Sequence, residues 1–315
     1  MRILRNLSIL LLTAALPVIG FSQAQPNEKV LITGTRFTYP LVEKWISEFK
    51  QAHPGIEIGL LPKGSAESAT LSINAYKIPK EKLKENFDYI NIGRYVLLPI
   101  ANSNNPLNQD FQKKGLKESE AKKLFFEEAD AYLNEPKKEK KNAFVPTIYT
   151  REQKSCAPTA FANHFGFQQE NITGKSITGD DRFLIQAIKK DSSGITYNNL
   201  GFIYDLSSRK VIEGIAVVPF DLNDNGKLDA SENFYSSLDD VIKSVESAKP
   251  NAIPVENVTI SFSKETAASN PNLKLFLDFV LNQGQQFNHQ FGFLTLEEQH
   301  LAKQKEVLNL ASKNE

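Results

Sequence analysis

The 315-residue sequence has no net charge and almost no cysteine. Lysine plus arginine and aspartate plus glutamate number 37 each. The chain therefore lacks the positive field on which nucleic-acid binding depends, and we expect no nucleic-acid partner. Its one cysteine, Cys156, cannot form an internal disulfide, so the core must stabilise the fold, with help from a metal if one binds. No motif joins Cys156 to a histidine, which favours a small buried or site-lining residue over a catalytic thiol.

Long apolar runs are also absent after the N-terminus. The first residues combine Arg2 and Arg5 with an apolar run from Ile9 to Ile19 and then the segment Ser22-Gln23-Ala24. This pattern predicts a signal peptide over residues 1–24 that is cleaved near Ala24 and Gln25, and hence a periplasmic or secreted protein. A membrane anchor is the less favoured alternative, because the run is shorter than the ~20 residues that span a bilayer.

Strand and helix patterns alternate in the first part of the chain. The apolar strand "KVLITGTRF" precedes the amphipathic helix "YPLVEKWISEFKQAHPG", and the strand "IEIGLL" precedes "PKGSAESATLSINAY", which we interpret as a loop that opens a helix. This order predicts an α/β fold in which strands lead into helix N-termini. The length suits one large domain or two lobes.

Three predicted strand-to-helix turns contain small or hydroxyl residues, two of them with an arginine. They are Gly34–Phe37, Gly64–Ala66 and Arg151–Cys156. Free amides at a helix start, together with hydroxyls and a guanidinium, form a binding site for a tetrahedral oxyanion. Each turn alone is commonly only a helix cap. The candidate anion-binding residues are Thr35, Arg36, Phe37, Gly64, Ser65, Arg151, Ser155 and Cys156.

The segment 221–232, "DLNDNGKLDASE", has the ligand spacing of a calcium loop. The predicted Ca²⁺ ligands at loop positions 1, 3, 5, 7, 9 and 12 are Asp221, Asn223, Asn225, Lys227 through its carbonyl, Asp229 and Glu232. Gly226 stands at position 6, where the loop turns tightly. A strand, Ile212–Phe220, is predicted before the loop instead of a helix. This favours a single structural Ca²⁺ site over a sensor, and the alternative is a surface Asx-turn.

In their order and setting, "ITGTRFTYPLVEKW", "GSAES" and "YTREQKSCAPTAFANHFG" resemble the periplasmic phosphate-binding proteins of ABC importers. Gly34, Phe37, Lys44 and Trp45 match the first family motif, Gly64-Ser65 the second, and Arg151 with Ser155 the third. The resemblance implies a divergent member with a two-lobed, periplasmic-binding-protein-like α/β fold. Each lobe would be a mixed sheet flanked by helices, and the ligand cleft would lie between the lobes. We expect residues 27–97 plus 256–315 in lobe 1, and residues 98–255, with the calcium-type loop, in lobe 2.

The implied function is binding of phosphate or a related oxyanion, by a monomer, for delivery to an ABC permease. The sequence departs from the family at Arg36, which replaces a threonine, and at Cys156-Ala157, which replace Gly-Thr. The family's ligand-reading carboxylate has no clean counterpart, and Asp88 or Arg94 is the candidate in that region. These departures favour a larger or more negative anion.

Two alternatives remain open at this point. One is an accessory or surface protein of the same fold that no longer binds phosphate. The other is a phosphatase-like enzyme, which is disfavoured because no nucleophile–base pair or dense metal cluster is visible. The lone carboxylates Glu152, Asp180 and Asp181 are interpreted as helix-start or surface residues.

Overall fold

A computed structural model describes residues 28–62, 65, 67–126 and 144–310. The predicted signal peptide and Gly64 lie outside these residues. The strands are β1 (Val30–Gly34), β2 (Ile58–Leu60), β3 (Leu71–Asn74), β4 (Phe87–Asn102), β5 (Thr147–Arg151), β6 (Lys175–Ile177), β7 (Gly194–Asn199), β8 (Ile215–Val217), β9 (Val255–Ser263) and β10 (Phe293–Leu294). The α-helices are α1 (Tyr39–Ala52), α2 (Asn108–Lys114), α3 (Glu118–Phe126), α4 (Cys156–His164), α5 (Asp181–Lys189), α6 (Leu200–Ile203), α7 (Leu238–Ala248), α8 (Lys264–Ser269), α9 (Pro271–Asn282) and α10 (Glu298–Leu310).

Amphipathic helices pack on the sheet as the sequence periodicity predicts. Helix α1 begins next to Pro40, which suits a first-turn position, and it buries Leu41, Val42, Trp45 and Phe49. Its Trp45 Nε1 donates to the Gly284 carbonyl at 2.9 Å, which ties the helix to the C-terminal part of the chain. No helix in the described part of the chain is long and apolar enough to cross a bilayer.

The strands form a mixed sheet in the order β2-β1-β3-β9-β4-β7-β5-β6, with β8 and β10 also paired to β4. The pairs β1–β2, β1–β3, β5–β6 and β5–β7 are parallel. The pairs of β4 with β7, β8, β9 and β10 are antiparallel. This arrangement confirms the predicted two-lobed α/β fold with mixed sheets.

The long strand β4 connects the two groups of strands. From Phe87 to Val96 it pairs with β9, and from Leu97 to Ala101 it pairs with β7. One continuous strand therefore has one end in the first lobe, with β1–β3 and β9, and the other end in the second lobe, with β5–β8. The predicted bounds of the two lobes stay a prediction.

Two predicted elements differ from the structure. No helix follows Ser65 among the described residues before Ala75, and this segment instead forms the strand β3. Leu71 and Ile73 of β3 are buried while Ser72 and Asn74 are half-buried, so the burial alternates as in a strand. The predicted strand Ile212–Phe220 is reduced to Ile215–Val217.

Candidate functional site

A cleft of about 590 Å³ lies where the parallel strands of both lobes end. In open α/β sheets, ligands bind in the crevice beyond the carboxyl ends of the strands. The lining residues follow β1, β3, β5, β6 and β7, and they are Gly34, Thr35, Arg36, Phe37, Tyr39, Pro40, Glu43, Ile73, Asn74, Arg151, Ser155, Cys156, Ala157, Asp180, Asp181, Arg182 and Phe202.

The first wall of the cleft is the turn between β1 and α1. Gly34 has a φ of +133°, and a Cβ atom there would lie 2.2 Å from the Ile73 carbonyl oxygen, so only glycine allows this close approach. The Thr35 amide and hydroxyl both donate to that same carbonyl, at 3.0 and 3.2 Å. The turn is thereby held against β3, and Arg36 and Phe37 are presented to the cleft.

The opposite wall is the turn between β5 and α4. The Ser155 amide and the Thr159 hydroxyl donate to Gln169 Oε1, at 3.0 and 3.2 Å. The Gln169 side chain therefore caps the start of α4 as a hydrogen-bond acceptor, and the Ser155 hydroxyl makes no capping hydrogen bond. The first amides of a helix have no intrahelical acceptor, so this wall offers backbone donors as well.

Arg151 is 9% exposed and donates from Nη1 to Asp181 Oδ1 at 2.7 Å. Burial raises the pKa of the Asp181 carboxyl, and the neighbouring Arg151 and Arg36 lower it by less. The Asn198 side chain donates to the Asp181 carbonyl at 2.8 Å and fixes the start of α5. The pair is thus held by hydrogen bonds in the wall of the cleft.

Two polar atoms of the cleft wall lack a partner. Among the described residues, buried side-chain atoms without a hydrogen bond include Arg151 Nε and Ser155 Oγ. A buried donor without an acceptor costs roughly 1–3 kcal/mol. Both atoms belong to residues that line the same cleft, and each is a candidate donor to a bound oxyanion.

The lobes touch each other at Thr35 and Cys156. The Thr35 hydroxyl and the Cys156 Sγ are 3.0 Å apart. Burial raises the pKa of the Cys156 thiol, and hydrogen bonds from Thr35 and the Ala75 backbone lower it by less. Either group can donate the hydrogen bond that joins the lobes.

Of the predicted anion-binding residues, the structure brings Thr35, Arg36, Phe37, Arg151, Ser155 and Cys156 into this cleft. Ser65 instead lines a neighbouring pocket of about 420 Å³ that shares Gly34, Arg36 and Tyr39 with the cleft. Their role in anion binding stays a prediction.

Of the two interpretations of Asp181, helix-start residue is confirmed and surface residue is not. It does start α5, but it is 7% exposed and pairs with Arg151. Asp88 and Arg94, guessed as ligand-reading residues, do not line the cleft. Arg94 instead donates to the Thr295 carbonyl and to Glu297. The one signal for Asp181 was its position directly after the N-cap Asp180, at a strand-to-helix turn.

The loop 221–232 curls around two buried carboxylates. Asp221 accepts from the amides of Asn225 and Gly226, at 3.2 and 2.6 Å. Glu232 accepts from the amides of Leu222, Asn223 and Asp229, at 2.8 to 3.0 Å. These carboxylates are 2% and 3% exposed, and neither forms an ion pair with a described residue.

This geometry fits the predicted calcium loop in part. Gly226 has a φ of +78°, as the tight turn at position 6 requires. The Asp229 carboxylate accepts hydrogen bonds from the side-chain amides of Asn223 and Asn225, at 3.1 and 2.8 Å. No group of three or more His, Cys, Asp or Glu side chains is gathered at metal-binding distance in the described part of the chain. Amide and carbonyl oxygens would therefore have to complete a Ca²⁺ site.

The chain is similar to a curated protein and to several solved structures, while no family model matches it. It is 24% identical to Protein SphX of Synechococcus elongatus over 318 residues, which covers 93% of this chain and 86% of that protein.

Several solved structures share the fold of this chain. A putative phosphate ABC transporter substrate-binding protein with bound phosphate from Clostridium perfringens has a TM-score of 0.61 at 17% identity, over 86% of this chain and 100% of that one. An ABC-type phosphate transport receptor from Vibrio cholerae has a TM-score of 0.58 at 11% identity, over 85% of this chain and 100% of that one. A possible phosphate binding protein from Planctomyces limnophilus has a TM-score of 0.55 at 12% identity, over 92% and 100%. The predicted resemblance is therefore confirmed, and this chain has the two-lobed α/β fold of the phosphate-binding proteins of ABC importers.

Proposed function

We propose that the protein is an exported, non-enzymatic solute-binding protein that holds a phosphate-type oxyanion between its lobes. The observation that carries the proposal is the pair of unpartnered buried donors, Arg151 Nε and Ser155 Oγ, on the wall of one cleft. An oxyanion accepts from both, and charge-assisted hydrogen bonds of this kind are the stronger ones.

We further propose delivery of the anion to an ABC permease. Support comes from the fold, which is shared with a solved ABC-type phosphate transport receptor and a putative phosphate ABC transporter substrate-binding protein. The protein would act after cleavage near Ala24 and Gln25, as a monomer. Deletion of the gene in the native cell should then slow the uptake of labelled phosphate.

The loop 221–232 is proposed to bind a structural Ca²⁺ ion. Two carboxylates buried without a basic partner, Asp221 and Glu232, support this assignment, because burying a charge is costly unless an opposite charge compensates it. The ion would hold the loop between β8 and α7 in a chain that has no disulfide.

Titration calorimetry of the mature protein with orthophosphate and sulfate tests the binding function. We expect heat with orthophosphate, and an affinity about tenfold or more lower in Ser155→Ala, because a hydrogen bond to a charged group is lost. Ser207→Ala is the matched control, since this exposed serine does not line the cleft.

The absence of heat with any oxyanion would instead favour an accessory protein of the same fold. Turnover of a chromogenic phosphate ester that disappears in Arg151→Gln would favour the phosphatase-like alternative.

A further inference from the structure

We propose that the ligand of the cleft is a phosphate monoester with a small organic group, in preference to inorganic phosphate. This inference rests on the proposed phosphate-type function and narrows its substrate class. It follows from the contact between the lobes, the volume that remains, the apolar lining and the one available arginine of the cleft.

The two lobes are already in contact at this cleft. The Thr35 hydroxyl and the Cys156 sulfur are already 3.0 Å from each other across the cleft. They occupy the space between the β1–α1 turn and the start of α4. An anion would then lie beside this contact, and Arg151 Nε and Ser155 Oγ are the unpartnered donors among the residues that line the cleft.

The remaining volume is too large for one tetrahedral ion. A water molecule takes about 30 Å³ of the liquid, so an ion of five heavy atoms replaces only a few waters. The cleft measures about 590 Å³ with the lobes in contact, which falls within the range of sites for organic ligands. It also shares Arg36 and Tyr39 with the neighbouring pocket of about 420 Å³.

Away from Arg151 the cleft is lined by rings. Phe37, Tyr39 and Phe202 are half-buried on its walls. Phe37 is fixed by its packing on Tyr95 and Phe293, with ring centroids 4.9 and 6.1 Å apart. Inorganic phosphate leaves these rings in water, whereas an organic substituent covers their apolar surface.

One arginine of the cleft is available to a dianionic ester. Arg151 and Arg182, two of the three arginines that line the cleft, are paired with Asp181 and Asp180. Arg36 is exposed, and it forms no ion pair with any described residue. Glu43 also lines the cleft, so the three arginines and the three carboxylates of the lining balance in formal charge. Arg36 is nevertheless the arginine whose guanidinium is available to pair with a bound anion.

The test is calorimetry with orthophosphate, glycerol 3-phosphate and phenyl phosphate on the mature wild type. We expect phenyl phosphate to bind at least tenfold more tightly than orthophosphate. In Phe202→Ala the affinity for phenyl phosphate should fall about two- to tenfold, as expected for a lost ring contact, while that for orthophosphate stays unchanged. Phe183→Ala is the matched control, because this ring is 45% exposed and does not line the cleft.

The outcomes separate this inference from the proposed function. Orthophosphate that binds as tightly as both esters, or an equal loss of both ligands in Phe202→Ala, overturns the monoester assignment and leaves phosphate binding in place. If none of the three compounds binds, both proposals are wrong. Tighter binding of either ester, lost in Ser155→Ala and reduced in Phe202→Ala, supports both.

Discussion

Arg151 and Asp181 form an ion pair whose side chains are 8% and 10% exposed. Removing one partner of a buried pair leaves an uncompensated charge and typically costs about 3–5 kcal/mol. We expect a loss of this size in the free energy of unfolding of Arg151→Gln at neutral pH, measured by urea denaturation. The matched control is Arg182→Gln, which breaks an exposed pair with Asp180 and should cost no more than about 1 kcal/mol.

The destabilisation of Arg151→Gln should depend on pH. Burial already raises the pKa of Asp181, and the arginine that opposes this shift is lost in the variant. The pKa is then higher in the folded than in the unfolded state, so the penalty is fully present above the folded pKa and is relieved as the pH falls through it. The difference from wild type should therefore be smaller at pH 5 than at pH 7.5, and an equal difference at both would contradict the assignment.

Arg151 and Asp181 also show which residues of the candidate site could be predicted from the sequence. Arg151 could be predicted because an arginine and a serine next to a helix start form a local anion-binding pattern. Asp181 could not, since an aspartate at a helix start is normally exposed there. Its burial comes from β7 and Arg151, which are distant in sequence, as the hydrogen bond from Asn198 shows.

At the scale of elements, the β1–α1 turn depends on Gly34. A Cβ atom would meet the backbone of Ile73 at 2.2 Å, and the φ of +133° is strained for any other residue. We expect Gly34→Ala to lower the free energy of unfolding by at least about 2 kcal/mol and to weaken anion binding, because the whole turn must shift. Urea denaturation and calorimetry measure the two effects.

Gly59→Ala is the matched control for this prediction. Gly59 lies in the neighbouring strand β2, and a Cβ atom there meets nothing within 4 Å. A Gly34→Ala variant as stable as Gly59→Ala would show that the close approach to Ile73 is not required.

The sequence predicted elements well where neighbouring residues determine the structure, and poorly where pairing with distant strands determines it. Helix α1 follows from Pro40 and one apolar face. The segment after Ser65 has the polar and small residues of a helix start, yet it becomes β3 because Leu71 and Ile73 fit between β1 and β9. The change of partner along β4 could not be predicted either. Its first half contains Asp88, Asn91 and Arg94 and its second half is apolar and buried, but neither composition specifies which strand pairs with it.

The loop 221–232 provides a second prediction at this scale. With a dissociation constant of about 10⁻⁴ to 10⁻³ M, 10 mM Ca²⁺ would stabilise the protein by roughly 1.4–2.7 kcal/mol. We therefore expect chelation to lower the melting temperature by a few degrees. Glu232→Gln, which lacks a carboxylate at position 12, should lose this response.

Asp224→Asn is the control within the same loop. The Asp224 side chain is 74% exposed and belongs to loop position 4, which supplies no ligand, and asparagine tolerates its φ of 63°. This variant should respond to chelation as the wild type does. A melting temperature that chelation leaves unchanged in the wild type would argue against the site.

For the whole molecule, the contact between Thr35 and Cys156 makes the cysteine a reporter of lobe movement. The chain has one cysteine, so alkylation reports on this position alone. Burial raises the pKa of the thiol, which keeps the reactive thiolate scarce at neutral pH. Iodoacetamide should therefore label the native protein slowly, through openings of the cleft, and the urea-unfolded protein quickly.

Ligand should slow this labelling further, because it binds between the lobes and favours the closed form. We expect phosphate or phenyl phosphate at saturation to reduce the rate at least tenfold, measured by mass spectrometry. In Arg151→Gln, ligand should protect much less. A labelling rate that saturating ligand leaves unchanged would show that Cys156 does not face the binding cleft, since both shielding and closure act on a thiol that lies there.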